Sequence, residues 1–276
     1  MINFYPGPSK LDERIPNWIS EGLDSGIISA NHRSNEFILQ YQELLDLFRE
    51  VFEIPEYFEI YFNSSATECW FSIGESFRSK NFTHFSNGAF GDKWFKTNEN
   101  LGLNCSLSKF NINEAPDLKK VEKKSEILCF THNETSNGSK LSHEFLLKLG
   151  DIHENFIIAM DATSSMGGDI LPWTIADIWF ASVQKCFGLP AGMGIMIVNK
   201  NILDETDSPR TYNHLQNLHE NFEKFQTTHT PNTLNIYLIW QILQNHIGMR
   251  LMSEHIQKRA WNLYNQFLNT EFFSPL

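Results

Sequence analysis

A chain of 276 residues, 41% hydrophobic and 20% charged, can bury a sizeable core and has the composition of a folded globular protein, which excludes a disordered chain. Its 33 Asp and Glu against 22 Lys and Arg leave a formal net charge of -11 with no basic stripe to offset it, which excludes nucleic acid as a partner. No stretch approaches the roughly 20 apolar residues of a membrane span, and residues 1–8 lack a basic segment followed by an apolar run, so a soluble, cytoplasmic setting is expected and a membrane is not.

An opening rich in Pro and Gly gives way to Glu36–Phe52, where Phe37, Tyr41, Leu44, Leu45, Phe48 and Phe52 recur at three- and four-residue spacing and predict an amphipathic helix. The run Phe58–Phe62 reads as a strand, followed by the polar turn Asn63-Ser64-Ser65-Ala66-Thr67 and a helix starting near Glu68. Lys119, Lys120, Lys123 and Lys124, interrupted by Glu122, read as a solvated helix face. Strands are expected at Ile127–Phe130, Phe156–Met160 and Ile178–Ala181, each ending in polar residues. From Asn235 to about Phe267 the chain reads as helices, and it stops at Phe272–Leu276 without an obvious closing element. Short apolar strands alternating with helical stretches predict an α/β domain with a largely parallel sheet covered on both faces, and the polar residues at its strand ends mark the active site. Cys69, Cys105, Cys129 and Cys186 form no C-x-x-C pair and are expected to be reduced thiols.

Four groups carry chemistry. Lys185, in Ser182-Val183-Gln184-Lys185-Cys186-Phe187-Gly188, sits among small and apolar residues that desolvate its amine, and a neutral amine attacks an aldehyde. Asp161 closes a strand, where a carboxylate can pair with a protonated pyridine nitrogen; taken alone, it reads equally as a helix N-cap or a metal ligand. The turn Ser64–Thr67 offers N–H groups, hydroxyls and a helix dipole to an anion such as a phosphate, with a plain Ser or Thr cap as the alternative. His32-Arg33 can bind a carboxylate or phosphate, the alternative being an ion pair from Arg33 to Glu36. Trp94 and Trp173 are expected in the core or an interface. No G-x-x-x-x-G-K-[ST] loop is present, which disfavours a nucleotide triphosphatase.

Three motifs in order carry a family resemblance. Asn31-His32-Arg33-Ser34-Asn35-Glu36-Phe37 is similar to S-H-R-S-K-E-F, Asn133-Glu134-Thr135 with Gly138 to N-E-T-x-x-G, and Gln184-Lys185 with Gly188 to Q-K-N-x-G. These are motifs of the class V, fold-type I, pyridoxal-phosphate-dependent aminotransferases, and most closely of the phosphoserine aminotransferases. The resemblance implies a large domain with a mostly parallel seven-stranded sheet sandwiched by helices. It divides the chain into an N-terminal segment at 1–20, a cofactor-binding domain at 21–250 and, at 251–276, the start of a small C-terminal domain that is cut short.

Carried over by position, Lys185 is the Schiff-base lysine and Asp161 the partner of the pyridine nitrogen. Thr135 bonds the ring oxygen, Phe90 stacks where the family usually has Trp, and Ser65, Ala66, Thr67 and Gln184 hold the phosphate. His229 and Thr230 close the phosphate site from a second subunit, implying a homodimer, and His32 and Arg33 bind the substrate anion. The implied reaction takes glutamate as donor and a phosphorylated three-carbon keto acid as acceptor, in serine biosynthesis. The alternatives are a divergent class V aminotransferase with another keto and amino acid pair, or a cofactor-binding homologue without turnover.

Overall fold

The computed structural model describes residues 5–268. Among the described residues seven strands form one sheet: β1 (Phe58–Asn63), β2 (Phe82–Ser86), β3 (Cys105–Lys109), β4 (Ile127–Thr131), β5 (Ile157–Asp161), β6 (Ile178–Ser182) and β7 (Gly194–Asn199). Their order is β1-β7-β6-β5-β4-β2-β3. Strands β3, β2, β4, β5 and β6 run parallel to one another, whereas β7 runs against both β1 and β6. The sheet is therefore mixed and mostly parallel, as expected.

Successive residues of a strand point to opposite faces, and here both faces are buried. Ile60, Phe130, Ile158, Met160, Trp179 and Ile197 face one layer, formed by α1 (Ile15–Asp24), α2 (Asn35–Phe52), α5 (His143–Gly150) and α7 (Thr233–Gln244). Tyr61, Cys129, Ala159, Phe180 and Met196 face the other, formed by α3 (Ala66–Ser76), α4 (Ala89–Asn100) and α6 (Leu215–Phe222). Each large apolar side chain so enclosed contributes about 1.5–3 kcal/mol. In α2 the expected stripe Phe37, Tyr41, Leu44, Leu45, Phe48 and Phe52 is the buried one; Ser34 caps the helix by accepting the Phe37 N–H at 3.3 Å, and Glu53, at φ 53°, ends it.

Predicted strands agree with β1, β4, β5 and β6 to within a residue at each end, and the helices predicted after Asn235 are α7 and α8 (Met249–Leu268), broken at Gly248 with φ 87°. Trp94 and Trp173 are buried, and all four cysteines are free thiols. Strands β2, β3 and β7 carry no sequence expectation: β2 is half polar, β3 is a partly exposed edge strand, and β7 follows a Gly- and Pro-rich loop. One expectation fails. Lys119, Lys120, Lys123 and Lys124 are exposed, but only a 3-10 turn over Leu118–Lys120 forms there, because the segment lacks an apolar stripe to bury. The final run Phe272–Leu276 lies outside the described residues.

Candidate active site

The carboxyl ends of β4, β5 and β6 open into a cavity of about 260 Å³. Parallel strands aim their last residues at this edge, which puts Thr131, Asp161 and Ser182 on its rim. Ala66, Thr67, Phe90, Thr135, Asp161, Gln184 and Lys185, all expected from sequence, line it together. Ser65, His229, Thr230, His32 and Arg33 do not.

Lys185 lies in the loop between β6 and β7. Its Nζ donates to Thr135 Oγ1 at 2.6 Å and to Ser164 Oγ at 2.8 Å, and it stands 5.3 Å from the centroid of the Phe90 ring. Burial pushes this amine below the ordinary lysine value, against the opposing pull of Asp161, Cys186 and Glu134. Neutral hydroxyl partners hold it in place without fixing its proton. The neighbouring Cys186 thiol is pushed up to about 11 by burial, so it stays protonated at neutral pH.

Asp161 is buried at the end of β5, and desolvation pushes its carboxyl upward, opposed by hydrogen bonding from Thr163 and by the charge on Lys185. Its Oδ1 accepts the Thr163 N–H at 2.9 Å. The indole of Trp70 also lies toward this carboxyl and favours its ionised form, but its Nε1 falls outside hydrogen-bonding geometry. No cluster of His, Cys, Asp or Glu among the described residues has the arrangement of a metal site, so a metal-binding role for Asp161 finds no partners.

The motif Asn133-Glu134-Thr135 has a structural member as well as a cavity-facing one. Buried Glu134 accepts the N–H groups of Phe90 (3.2 Å), Gly91 (3.1 Å) and Ser136 (3.0 Å), capping α4 and fixing Phe90 above Lys185. Gly88 makes this approach possible, because a Cβ there would lie 2.3 Å from Glu134 Cγ. At the turn before α3, Ser65 Oγ caps the helix by accepting the Glu68 N–H at 3.1 Å, and the Ala66 N–H is directed to Ser182 Oγ at 2.9 Å. The Ala66 N–H and the Ser65 hydroxyl are thus engaged within the protein, while the Ser65 and Thr67 N–H groups have no acceptor among the described residues. Gly194 lets the turn lie against β7: a Cβ would meet the Ser65 carbonyl carbon at 2.5 Å.

His32, Arg33 and His229 lie outside this lining. Burial and the charges of Arg33 and His229 push the His32 imidazole below its ordinary value. Arg33 makes no ion pair with Glu36 or any other described carboxylate. Sequence reasoning missed Ser164, Trp70, Asn133, Thr163 and Lys93. Of these Thr163 and Ser164 carried a local signal, as hydroxyls close behind Asp161, and Asn133 opens the Asn133-Glu134-Thr135 motif.

A larger cavity, about 420 Å³, lies at the opposite edge of the sheet, but its cations are already paired: His153 Nε2 with Asp177 at 2.8 Å and Lys80 Nζ with Glu205 at 3.1 Å. The smaller cavity differs in that Trp70 Nε1, Asn133 Oδ1 and Thr163 Oγ1 are buried polar atoms without partners. Unmet hydrogen bonds at a cavity wall are what a bound polar group would satisfy.

Comparison with known proteins agrees with this geometry. The family model described as aminotransferase class-V matches residues 3–275. A phosphoserine aminotransferase from Lactococcus lactis subsp. lactis is 27% identical over 302 residues, covering 99% of this chain and 79% of the relative. Among solved structures, a phosphoserine aminotransferase from Cytophaga hutchinsonii superposes with a TM-score of 0.90 at 30% identity, over 98% of this chain and 78% of that one. A pyridoxal-phosphate-bound phosphoserine aminotransferase from Trichomonas vaginalis, 19% identical, shares the fold with a TM-score of 0.79 over 97% and 77%. The chain belongs to the class-V aminotransferases, of fold type I and close to the phosphoserine aminotransferases.

Proposed function

We propose that this cavity binds pyridoxal 5'-phosphate and that the chain is a transaminase of phosphoserine and 2-oxoglutarate, acting in serine biosynthesis from glutamate and 3-phosphohydroxypyruvate. The observation that carries the reading is the desolvated Lys185 amine, hydrogen-bonded to Thr135 and Ser164 in one cavity with the buried Asp161. The donor set fits the cofactor: Lys185 for its aldehyde carbon, Asp161 for its ring nitrogen, Thr135 for its ring oxygen, Phe90 for its face, and Thr67 with Gln184 for its phosphate. When bound, the cofactor supplies an electron sink that makes the α-hydrogen of an amino acid acidic.

The chain's own residues do the rest. Lys185 Nζ, with its pKa lowered, would take the proton from the substrate α-carbon as base and deliver it as acid to the carbon that was the cofactor's aldehyde. Thr135 and Ser164, bonded to each other at 2.6 Å, hold that nitrogen along its path. Asp161 keeps a proton on the ring nitrogen opposite, where the pairing offsets the cost of a buried carboxylate. His32 and Arg33 serve the substrate anion and His229 and Thr230 the phosphate of a partner subunit, in a cytoplasmic homodimer. The absence of an ion pair at Arg33 and the electrostatic influence of both Arg33 and His229 on His32, outside the cavity lining, support that assignment. In the same reading 1–20 is an N-terminal segment, 21–250 the cofactor domain and 251–276 the first part of a smaller one.

No arginine among the described residues lines the cavity, which favours cofactor binding without turnover as the second reading. Absorbance of the protein with added pyridoxal phosphate, before and after glutamate, decides between them. A visible band lost in Lys185→Ala and bleached by glutamate is expected. A band that glutamate leaves unchanged would support the second reading, and no Lys185-dependent band would refute both.

A further inference from the structure

The Ser64–Thr67 turn is held by a side chain from a distant part of the chain. Glu68 belongs to the first turn of α3 and is 9% exposed. Its Oε2 accepts both the N–H and the hydroxyl of Ser64, each at 2.5 Å, while its own N–H is capped by Ser65. Its other oxygen, Oε1, accepts the hydroxyl of Tyr212, which lies 144 residues away in sequence, just before α6. The Tyr212 residue is 54% exposed, so core packing does not account for where its hydroxyl goes. Its ring meets His229 edge-on, with centroids 5.8 Å apart.

We propose that Glu68 and Tyr212 form a strap that sets the shape of this turn, and that both are positioning residues for the anionic end of the ligand. The inference rests on the pyridoxal-phosphate reading above. With the Ser64 donors taken by Glu68 and the Ala66 N–H taken by Ser182, the turn keeps the backbone N–H groups of Ser65 and Thr67, and of these two residues Thr67 lines the cavity. With so few backbone donors left at the cavity wall, phosphate binding is sensitive to the angle of the turn, and the strap fixes that angle. Burial works against ionisation of Glu68, but the hydrogen bonds from Ser64 and Tyr212 outweigh it and keep the carboxylate charged. Those same bonds to a charged acceptor are the strong kind. The bond to Glu68, aided by burial, pushes the Tyr212 hydroxyl up to about 12, so it remains a donor throughout the neutral range.

Tyr212→Phe tests the strap, because it keeps the ring and its contact with His229 and removes only the hydroxyl. Apoprotein is titrated with pyridoxal phosphate and, separately, with pyridoxal, following the Lys185-dependent absorbance. The expected result is an affinity for pyridoxal phosphate lowered about tenfold, the scale of one hydrogen bond to a charged group, with the affinity for pyridoxal changed less than about twofold. In a Glu68→Gln background the same substitution is expected to add less than about threefold, since members of one hydrogen-bonded unit are not additive. Equal losses for the two ligands would show a general structural effect and overturn the proposal. So would an unchanged affinity for pyridoxal phosphate. Wild-type protein without any Lys185-dependent band would overturn the cofactor reading and this inference together, an outcome distinct from a wild-type band that Tyr212→Phe leaves untouched.

Discussion

The two edges of the central sheet solve opposite problems with similar residue types. At the amino edge, Asp177 is buried but fully engaged: it accepts from His153 at 2.8 Å, from the Ile158 N–H at 3.0 Å and from Asn199 Nδ2 at 3.0 Å. At the carboxyl edge, Asp161 is equally buried and accepts one backbone N–H, beside a lysine bonded only to hydroxyls and an indole N–H without a partner. The difference separates structure from chemistry. Satisfied charges hold strands together, whereas underused ones are poised for a ligand, at a cost in stability that the rest of the fold carries.

The comparison can be broken most sharply at Asp161. Asp161→Ala is expected to slow the half-reaction with glutamate by about a hundredfold or more, the scale seen when a group stabilising developing charge is removed, while leaving the protein folded. A stopped-flow trace with near wild-type rates would show that the carboxyl edge is not poised as described. Asp177→Ala should have the converse outcome. It leaves the Ile158 N–H buried without an acceptor, so about 1–3 kcal/mol of unfolding free energy should be lost in denaturant titration, with little change in cofactor affinity.

The smallest effect has the opposite sign. Lys185→Met removes a desolvated cation and leaves Thr135 and Ser164 bonded to each other, so the apoprotein should gain about 0.5–1 kcal/mol at neutral pH, reduced from the buried limit by the partial exposure of the site. The folded-state pKa of Lys185 lies below its unfolded value of about 10.5, so the cost of its charge is complete below the folded pKa and vanishes as pH rises toward the unfolded one. The gain from Lys185→Met should shrink over that same interval as pH rises, as thermal melts at stepped pH will register.

Much of this was legible in the sequence. Lys185, Asp161, Thr135, Gln184, Phe90 and Thr67 carry recognisable neighbours and do meet in one cavity, because each lies at or just beyond a strand end or at the first turn of a helix that follows one. Apolar runs and helical spacing mark four strands and the helices α2, α3, α7 and α8, since burial on both faces leaves long apolar runs in the strands. What stayed hidden depends on tertiary pairing. Nothing local marks β3 as an edge strand or β7 as the strand that reverses direction. Ser182 as the acceptor for Ala66, Glu134 as the cap of α4 and Tyr212 as the partner of Glu68 are contacts between residues far apart in sequence. Trp70 reads as one more apolar helix residue until the fold turns its indole toward Asp161.

The reversal of β7 has a mechanical consequence for Lys185. Because β6 and β7 are antiparallel neighbours, the loop that carries the lysine is a hairpin whose base is closed by the pair Ser182 and Gly194. Its backbone is pinned again farther out, where the Ser9 N–H and hydroxyl bind the carbonyls of Gln184 and Lys185 at 2.8 and 2.6 Å, and the Asp12 N–H binds that of Gly188 at 3.0 Å. The root of the lysine is therefore a fixed pivot. Whatever travel its amine makes between one bonding partner and the next comes from the four carbons of its own side chain, like a crane whose base is bolted down and only the arm swings.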